Sequence, residues 1–409
     1  MNSLQPRDVR SAAVVGAGTM GAGIAISFAN AGSDVVLVDA DENALERADG
    51  TLRGIYDARV ASGKILRSDA DVCLQRIVPT VDFETISGAE VASEAVFEDI
   101  AVKRDVFARL GALCAPHAIL ATNTSTLDVD AIARAAPHPE RAIGMHFFSP
   151  AHVMKLLEVV RGSATSRETI DRTVALARRL GKVPIVVGNC DGFVGNRMLL
   201  GYKREAEFLV LAGAEPARVD AALERFGFAM GPFAVSDLAG IDVGWRAKRE
   251  RVRRGAVPPF ALTELTDVFV AAGRLGRKSG AGYYRYVAGD RARYADPAAD
   301  ALVERERRRA GLPFEPSSDE EIVERCVYAL VNEGARILDD GIAASASDID
   351  AIWVNGYGFP SARGGPMRHA ESVGLARVLA TIEGFTRTDA AFWAPAPILV
   401  RAAGRGSFA

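Results

Sequence analysis

Over the first half of the chain, short apolar runs alternate with longer stretches in which apolar positions recur every three to four residues. Residues 11–15 are the first apolar run and lead into Gly16-Ala17-Gly18-Thr19-Met20-Gly21. Residues 22–31 have helical character and stop at Gly32; residues 35–38 are apolar again and end in Asp39. Strands are predicted at 91–96, 118–122 and 183–187, and helices at 99–113 and 166–181, the latter with Arg178 and Arg179 near its end. Two further apolar runs, 142–148 and 153–160, flank a Ser149-Pro150 turn. Such alternation implies a largely parallel sheet covered on both faces. Strand signals stop after Asn189, which sets a domain boundary near residue 188 and makes the remainder mostly helical.

The helical half repeats itself. Leu211-Ala212-Gly213-Ala214, Val219-Asp220-Ala221-Ala222, Phe226-Gly227-Phe228 and Gly231-Pro232-Phe233 follow one another. Asp339-Asp340-Gly341-Ile342, Ile349-Asp350-Ala351-Ile352, Tyr357-Gly358-Phe359 and Gly365-Pro366-Met367 do so later, with small insertions. Copies of one unit usually pack on each other. Three domains are expected: 1–188, 189–290 and a degenerate second copy at 291–409. A length of 409 residues, about 2.7 average domains, is compatible with that division.

Composition removes several function classes. With 49 Lys plus Arg against 52 Asp plus Glu, the net charge of −3 offers no broad surface for nucleic acid. Apolar runs are interrupted by charges before the ~18 residues a membrane span needs. Four scattered cysteines, Cys73, Cys114, Cys190 and Cys326, suggest neither a disulfide framework nor a metal cage. Residues 1–10 have no apolar leader core, and the terminal Ser407-Phe408-Ala409 is not of the Ser-Lys-Leu type. A cytoplasmic protein is the expectation.

The first candidate chemistry is a dinucleotide site. Gly16, Gly18 and Gly21 form a complete G-x-G-x-x-G between a strand and a helix. The first glycine allows a tight turn, the second lets the backbone approach a pyrophosphate, and the third lets helix and strand lie close. Asp39, 18 residues after Gly21, stands where an acid accepts from a ribose 2′-hydroxyl and repels a 2′-phosphate. NAD is preferred to NADP, and FAD shares the fingerprint. The fold class expected is an α/β Rossmann-type domain followed by two mostly α-helical repeated domains.

The second is an acid–base pair. His146 and Glu158 fall opposite each other if the two apolar runs pair as a hairpin about residue 152. A carboxylate facing an imidazole fixes its tautomer and stabilises its protonated form, as a general base requires. A core histidine satisfied by a core glutamate fits the same spacing. Ser125, in Asn123-Thr124-Ser125, follows a strand, where ligands sit in such sheets, although turn hydroxyls cluster there too. Asn196, in Gly192-Phe193-Val194-Gly195-Asn196-Arg197, is either a site residue or a polar cap. The basic run Arg246 to Arg254 reads as a solvated helix face before it reads as a phosphate or partner surface.

Taken together these motifs resemble the 3-hydroxyacyl-CoA dehydrogenase family of fatty-acid β-oxidation. The run from Ile143 to Glu158 carries the signature, joined by Asn123-Thr124-Ser125, Gly192 to Arg197, Met230-Gly231-Pro232-Phe233 and Arg277-Lys278-Ser279-Gly280-Ala281-Gly282-Tyr283-Tyr284. Asn355 to Pro360 and Arg363 to Met367 resemble the duplicated terminal domain of the multifunctional enzymes, without their enoyl-CoA hydratase domain. The resemblance implies His146 as catalytic base with Glu158 as its partner, and Ser125 and Asn196 as hydrogen-bonding groups for the substrate. It implies Gly16, Gly18, Thr19, Met20, Gly21, Asp39, Glu98, Lys103, Ser125, Ser149 and Lys278 as contacts to NAD, and Lys64 as a contact to a CoA phosphate. Ser149 replaces the Asn of the short members, as in the multifunctional branch. A 3-hydroxybutyryl-CoA-type enzyme, a dehydrogenase of 3-hydroxy acids without CoA, and a non-catalytic NAD-binding protein are the rivals. Short members dimerise through the helical domain, so a chain with both copies is expected to be a monomer, with a homodimer second. The second copy, lacking an evident His/Glu pair, is expected to be structural.

Overall fold

The structure is a computed structural model and describes residues 9–256, 260–315 and 317–408. The expectation of no leader at the start, and the last residue of the terminal tripeptide, fall outside the described residues. The chain divides into two compact units, residues 1–194 with 341–344 and residues 195–340 with 345–409.

The first unit is one eight-stranded sheet. Its strands are β1 (Ser11–Val15), β2 (Asp34–Val38), β3 (Ile77–Thr80), β4 (Val91–Glu94), β5 (Ile119–Thr122), β6 (Ala142–Phe147), β7 (Leu156–Arg161) and β8 (Val183–Gly188), in the order β3-β2-β1-β4-β5-β6-β7-β8. Neighbours pair in parallel except β6 and β7, which are antiparallel. Helices α1 (Thr19–Asn30), α2 (Glu42–Ala61), α3 (Arg67–Gln75), α4 (Ile100–Leu113), α5 (Val129–Ala133) and α6 (Arg167–Arg179) surround it. Successive strand residues serve opposite cores. Ala12 and Val14 belong to the core beneath α1, α2 and α6, and Ala13 and Val15 to the core beneath α4 and α5. Burial on both faces makes such strands read as unbroken apolar runs.

Two details differ from expectation. Strand β3 carries no clear apolar signal, because it is an edge strand with Val78 exposed and Pro79 inside it. Strand β7 starts at Leu156 rather than 153, because the backbone N–H groups of Val153 and Met154 both donate to the Pro150 carbonyl in a turn. Beyond β8, residues 341–344 return to the sheet edge. The Gly188 N–H donates to the Ile342 carbonyl at 2.7 Å, and Val187 bridges Ala343 in antiparallel fashion.

The second unit is mostly helical. It contains α7 (Gly195–Leu211), α8 (Pro216–Phe226), α9 (Pro232–Ala239), α10 (Ile241–Arg253), α11 (Leu265–Ala271) and α12 (Pro297–Ala310). Then follow α13 (Asp319–Asp339), α14 (Ala346–Gly356), α15 (Pro366–Val373), α16 (Leu375–Phe385), α17 (Ala390–Trp393) and α18 (Pro397–Arg405). The long helices α7 and α13 pack on each other. The series α7 to α10 and α13 to α16 share internal devices. Asp220 accepts from the N–H groups of Phe233 and Ala234 at 3.0 and 2.9 Å, and Asp350 from those of Met367 and Arg368 at 2.7 and 3.0 Å. Burial pushes both carboxyls up to about 6 despite these bonds. Gly240 and Gly374 join the next helix pair with nearly equal angles, φ 95° and 98°. The compact units divide at 194, six residues past the expected boundary at 188, because residues 189–194 stay with the sheet. The expected division at 290 separates no compact units, because the two series are packed into one.

Candidate functional site

The glycine turn joins β1 to α1. Gly16 has φ +103°, and a Cβ on it would stand 2.6 Å from the Ala95 carbonyl oxygen. A Cβ on Gly21 would stand 1.8 Å from the Gly16 oxygen, whereas at Gly18 it would meet nothing within 4 Å. Two glycines thus close the turn, and the third leaves its backbone open to a ligand. Gly18 caps α1 without a side-chain hydrogen bond, so the first N–H groups of the helix are presented to an anion. Thr19 is exposed and Met20 half-buried beside it. Asp39, at the end of β2, accepts from the Ala17 N–H at 2.7 Å and the Asp41 N–H at 3.1 Å. This donor and acceptor set fits a dinucleotide with free ribose hydroxyls.

Next along the strand ends is a chain of charges. Lys103 on α4, its side chain 1% exposed, lies 2.7 Å from Glu94 and 3.2 Å from Glu98, and also donates to the Val96 carbonyl at 3.3 Å. Glu94 is fully buried and takes a further bond from the Thr122 hydroxyl at 2.7 Å. Glu98 accepts from the Thr124 hydroxyl at 2.7 Å and from the Ser125 N–H and hydroxyl at 2.9 and 3.2 Å. Burial alone would raise the Glu98 carboxyl, but the Lys103 ammonium and the bonds from Ser125 and Thr124 hold it below the usual carboxylate range. Glu98 therefore stays ionised and fixes the loop that carries Ser125. Asn123, in the same loop, accepts from the Phe147 N–H at 2.9 Å and so ties the loop to the end of β6.

His146 and Glu158 pair directly across β6 and β7, and their register is the hairpin about residue 152. Nδ1 of His146 lies 2.7 Å from Oε2 of Glu158, with side chains 7% and 0% exposed. The other carboxylate oxygen accepts from the Val194 N–H at 3.3 Å. The rings of Phe148 and Phe193 flank the imidazole, with centroids 4.4 and 5.6 Å away. With Nδ1 committed to a carboxylate, Nε2 is the nitrogen left to exchange a proton with a ligand. Ser149, just past β6, is exposed.

Asn196 and Lys278 belong to the second unit. Asn196, in the first turn of α7, accepts at Oδ1 from the Tyr357 hydroxyl at 2.9 Å. Lys278 is half exposed and ion-pairs with Asp242. Lys64 lies exposed just past α2 in the first unit. The basic run on α10 is internally paired in part: Arg246 meets Asp242 and Arg253 meets Glu250. Sequence reasoning passed over Glu94, Asn123 and Tyr357. Glu94 lies inside the predicted strand 91–96, Asn123 inside Asn123-Thr124-Ser125, and Tyr357 inside Asn355 to Pro360, in the copy expected to be only structural. Among the described residues, no group of three or more His, Cys, Asp or Glu could hold a metal ion. No helix there is long and apolar enough to cross a membrane.

The profile described as 3-hydroxyacyl-CoA dehydrogenase, NAD binding domain, matches residues 11–190, and that described as the C-terminal domain matches 192–286 and 322–408. A peroxisomal bifunctional enzyme of Danio rerio is 43% identical over 99% of this chain and 58% of its own length. This chain thus spans somewhat over half of the curated relatives it matches. Among solved structures, 3-hydroxybutyryl-CoA dehydrogenase from Escherichia coli K12 matches at 28% identity and TM-score 0.86, over 98% of this chain and 99% of that one. The dehydrogenase part of multifunctional enzyme 1 from C. elegans matches at 30% identity and TM-score 0.71, over 97% and 90%.

Proposed function

This chain belongs to the 3-hydroxyacyl-CoA dehydrogenase family, and from that premise we propose that it catalyses the NAD-dependent, reversible oxidation of an (S)-3-hydroxyacyl-CoA to the 3-oxoacyl-CoA. The observation that carries the proposal is the buried His146–Glu158 pair at the end of the sheet that holds the glycine turn. NAD, when bound, supplies the hydride acceptor. Gly16, Gly18, Gly21 and Asp39 hold it, with Thr19, Met20, Glu98, Ser125, Ser149 and Lys278 assigned to it by resemblance. Lys103, whose donors are spent on Glu94, Glu98 and the Val96 carbonyl, acts on that site through Glu98.

In the oxidation direction His146 takes the hydroxyl proton at Nε2, and Glu158 stabilises the imidazolium that forms. Ser125 and Asn196 hydrogen-bond the substrate oxygen and orient the carbon that loses hydride. In reduction the same imidazolium returns the proton to the ketone. Lys64 is assigned to a CoA phosphate. Purified protein given NADH and acetoacetyl-CoA should consume NADH absorbance. Tight NADH binding without that consumption would reduce the chain to a binding protein.

The two helical series support a duplicated C-terminal domain, and with it a monomer in which one copy covers the apolar face of the other; a homodimer is the second choice. The cytoplasmic expectation gains no support, since the zebrafish relative is named as peroxisomal.

A further inference from the structure

We propose that Tyr357, supplied by the second helical series, is a positioning residue that sets the orientation of the Asn196 amide. The proposal rests on the dehydrogenase reading above, in which Asn196 bonds the substrate oxygen. Four observations support it. The Tyr357 hydroxyl donates to Asn196 Oδ1 at 2.9 Å, across 161 residues of sequence. The ring lies so close to the first residue of α7 that a Cβ on Gly195 would stand 2.2 Å from Tyr357 Cε2. Only glycine at 195 lets the ring reach its neighbour.

The ring is also held from behind. It stacks on Trp353 with centroids 4.8 Å apart and planes 26° from parallel. Trp353 is 1% exposed and donates its indole N–H to Met198 on α7 at 3.1 Å. The fourth observation is internal to the repeat. The turn Tyr357-Gly358-Phe359 corresponds to Phe226-Gly227-Phe228 in the first series, where Phe226 packs against Phe228, Phe359 and His369 through its ring alone. A phenyl ring therefore satisfies this turn. The hydroxyl is what the second copy adds, and it points at Asn196.

The chemistry gives that hydroxyl a use. A carboxamide presents an acceptor on one side and two donors on the other. A donor fixed on Oδ1 keeps Nδ2 as the group turned to the ligand, and the N–H donors suit the oxygen of a ketone or of an alcohol losing its proton. Removing that donor withdraws one reason for Oδ1 to face away from the ligand, and an amide turned the other way would offer an oxygen that repels the substrate's. The second helical series then does more than cover apolar surface.

The test is a double-mutant cycle on the full chain, with Tyr357→Phe, Asn196→Ala and both together. Readouts are kcat and KM for acetoacetyl-CoA, the Kd for NADH and Tm. Tyr357→Phe should lower kcat about tenfold, the scale of one hydrogen bond, with NADH Kd and Tm unchanged. In the Asn196→Ala background it should have no further effect, because the group it positions is gone. Losses that multiply, an unaltered kcat in Tyr357→Phe, or a loss accompanied by a lower Tm and weaker NADH binding would each overturn the positioning role while leaving the dehydrogenase reading intact. An inactive wild-type chain would overturn that reading, and the proposal with it.

Discussion

At the scale of residues, the candidate site is built by commitment: the groups assigned to it have one side occupied, which defines the other. His146 has Nδ1 spent on Glu158, and Ser125 stands in a loop pinned by an ionised Glu98. Replacing His146 with Gln keeps a polar side chain of similar reach but removes the proposed proton acceptor. The expected outcome is a fall in kcat of about two to four decades with little change in NADH affinity; near-wild-type turnover would end the assignment. His369 gives a prediction about stability. Burial, with help from Arg363, lowers its pKa to about 4. A base held neutral by the fold contributes stability above its unfolded value near 6.5, and loses it as pH falls toward 4. The buried Asp220 and Asp350 act with opposite sign in the same window, so the difference between variants is the informative quantity. His369→Phe should lessen the loss of denaturation midpoint between pH 6.5 and 4; an identical acid limb would contradict it. Of these residues, His146 and Glu158 are legible in sequence because their spacing is symmetric about a turn. Glu94 is not, since an acid inside an apolar strand reveals its partner only when α4 brings Lys103 over it. Tyr357 is still less legible, being 161 residues from the side chain it touches.

At the scale of elements, the decisive contact is the crossing of α1 over β1. The Gly21 position leaves no room for a methyl group, and the obstruction is backbone, which cannot step aside. Gly21→Ala should therefore lift the helix from the strand, weakening NADH binding at least tenfold and lowering Tm by several degrees, on the scale of overpacking a core. Titration of NADH fluorescence and a thermal melt check both; unchanged affinity would show that the crossing tolerates a methyl. The central strands were legible because burial on both faces makes them continuous apolar runs. Strand β3 was not, because one exposed edge dilutes the pattern and Pro79 argues against a strand. In the helical half the spacing of Gly, Pro and aromatic positions is what suggests a repeat, and the matching bonds of Asp220 and Asp350 are in keeping with it. The capping role of Asp220 and Asp350 was not legible, since their bonds run to helices that begin 12 and 16 residues later.

At the scale of the whole molecule, the sequence suggested three domains and the structure has two compact units, because α7 and α13 share one core. If the second series stands where another subunit would otherwise be needed, light scattering should give a mass near 43.4 kDa. A mass near twice that value would favour the dimer. A chain cut back to residue 290 should associate, since buried α7 residues such as Met198, Tyr202 and Leu209 would lose their cover. The short return of residues 341–344 to β8 adds a consequence of its own. Those residues lie beyond any such cut, yet they pair with the outer edge of the sheet at Val187 and Gly188. Trimming away the second series uncovers this end of β8 in the first unit as well. A bare border is a template for strand addition from any neighbouring chain, so the shortened protein should not stop at a tidy pair but grow into larger, turbid assemblies.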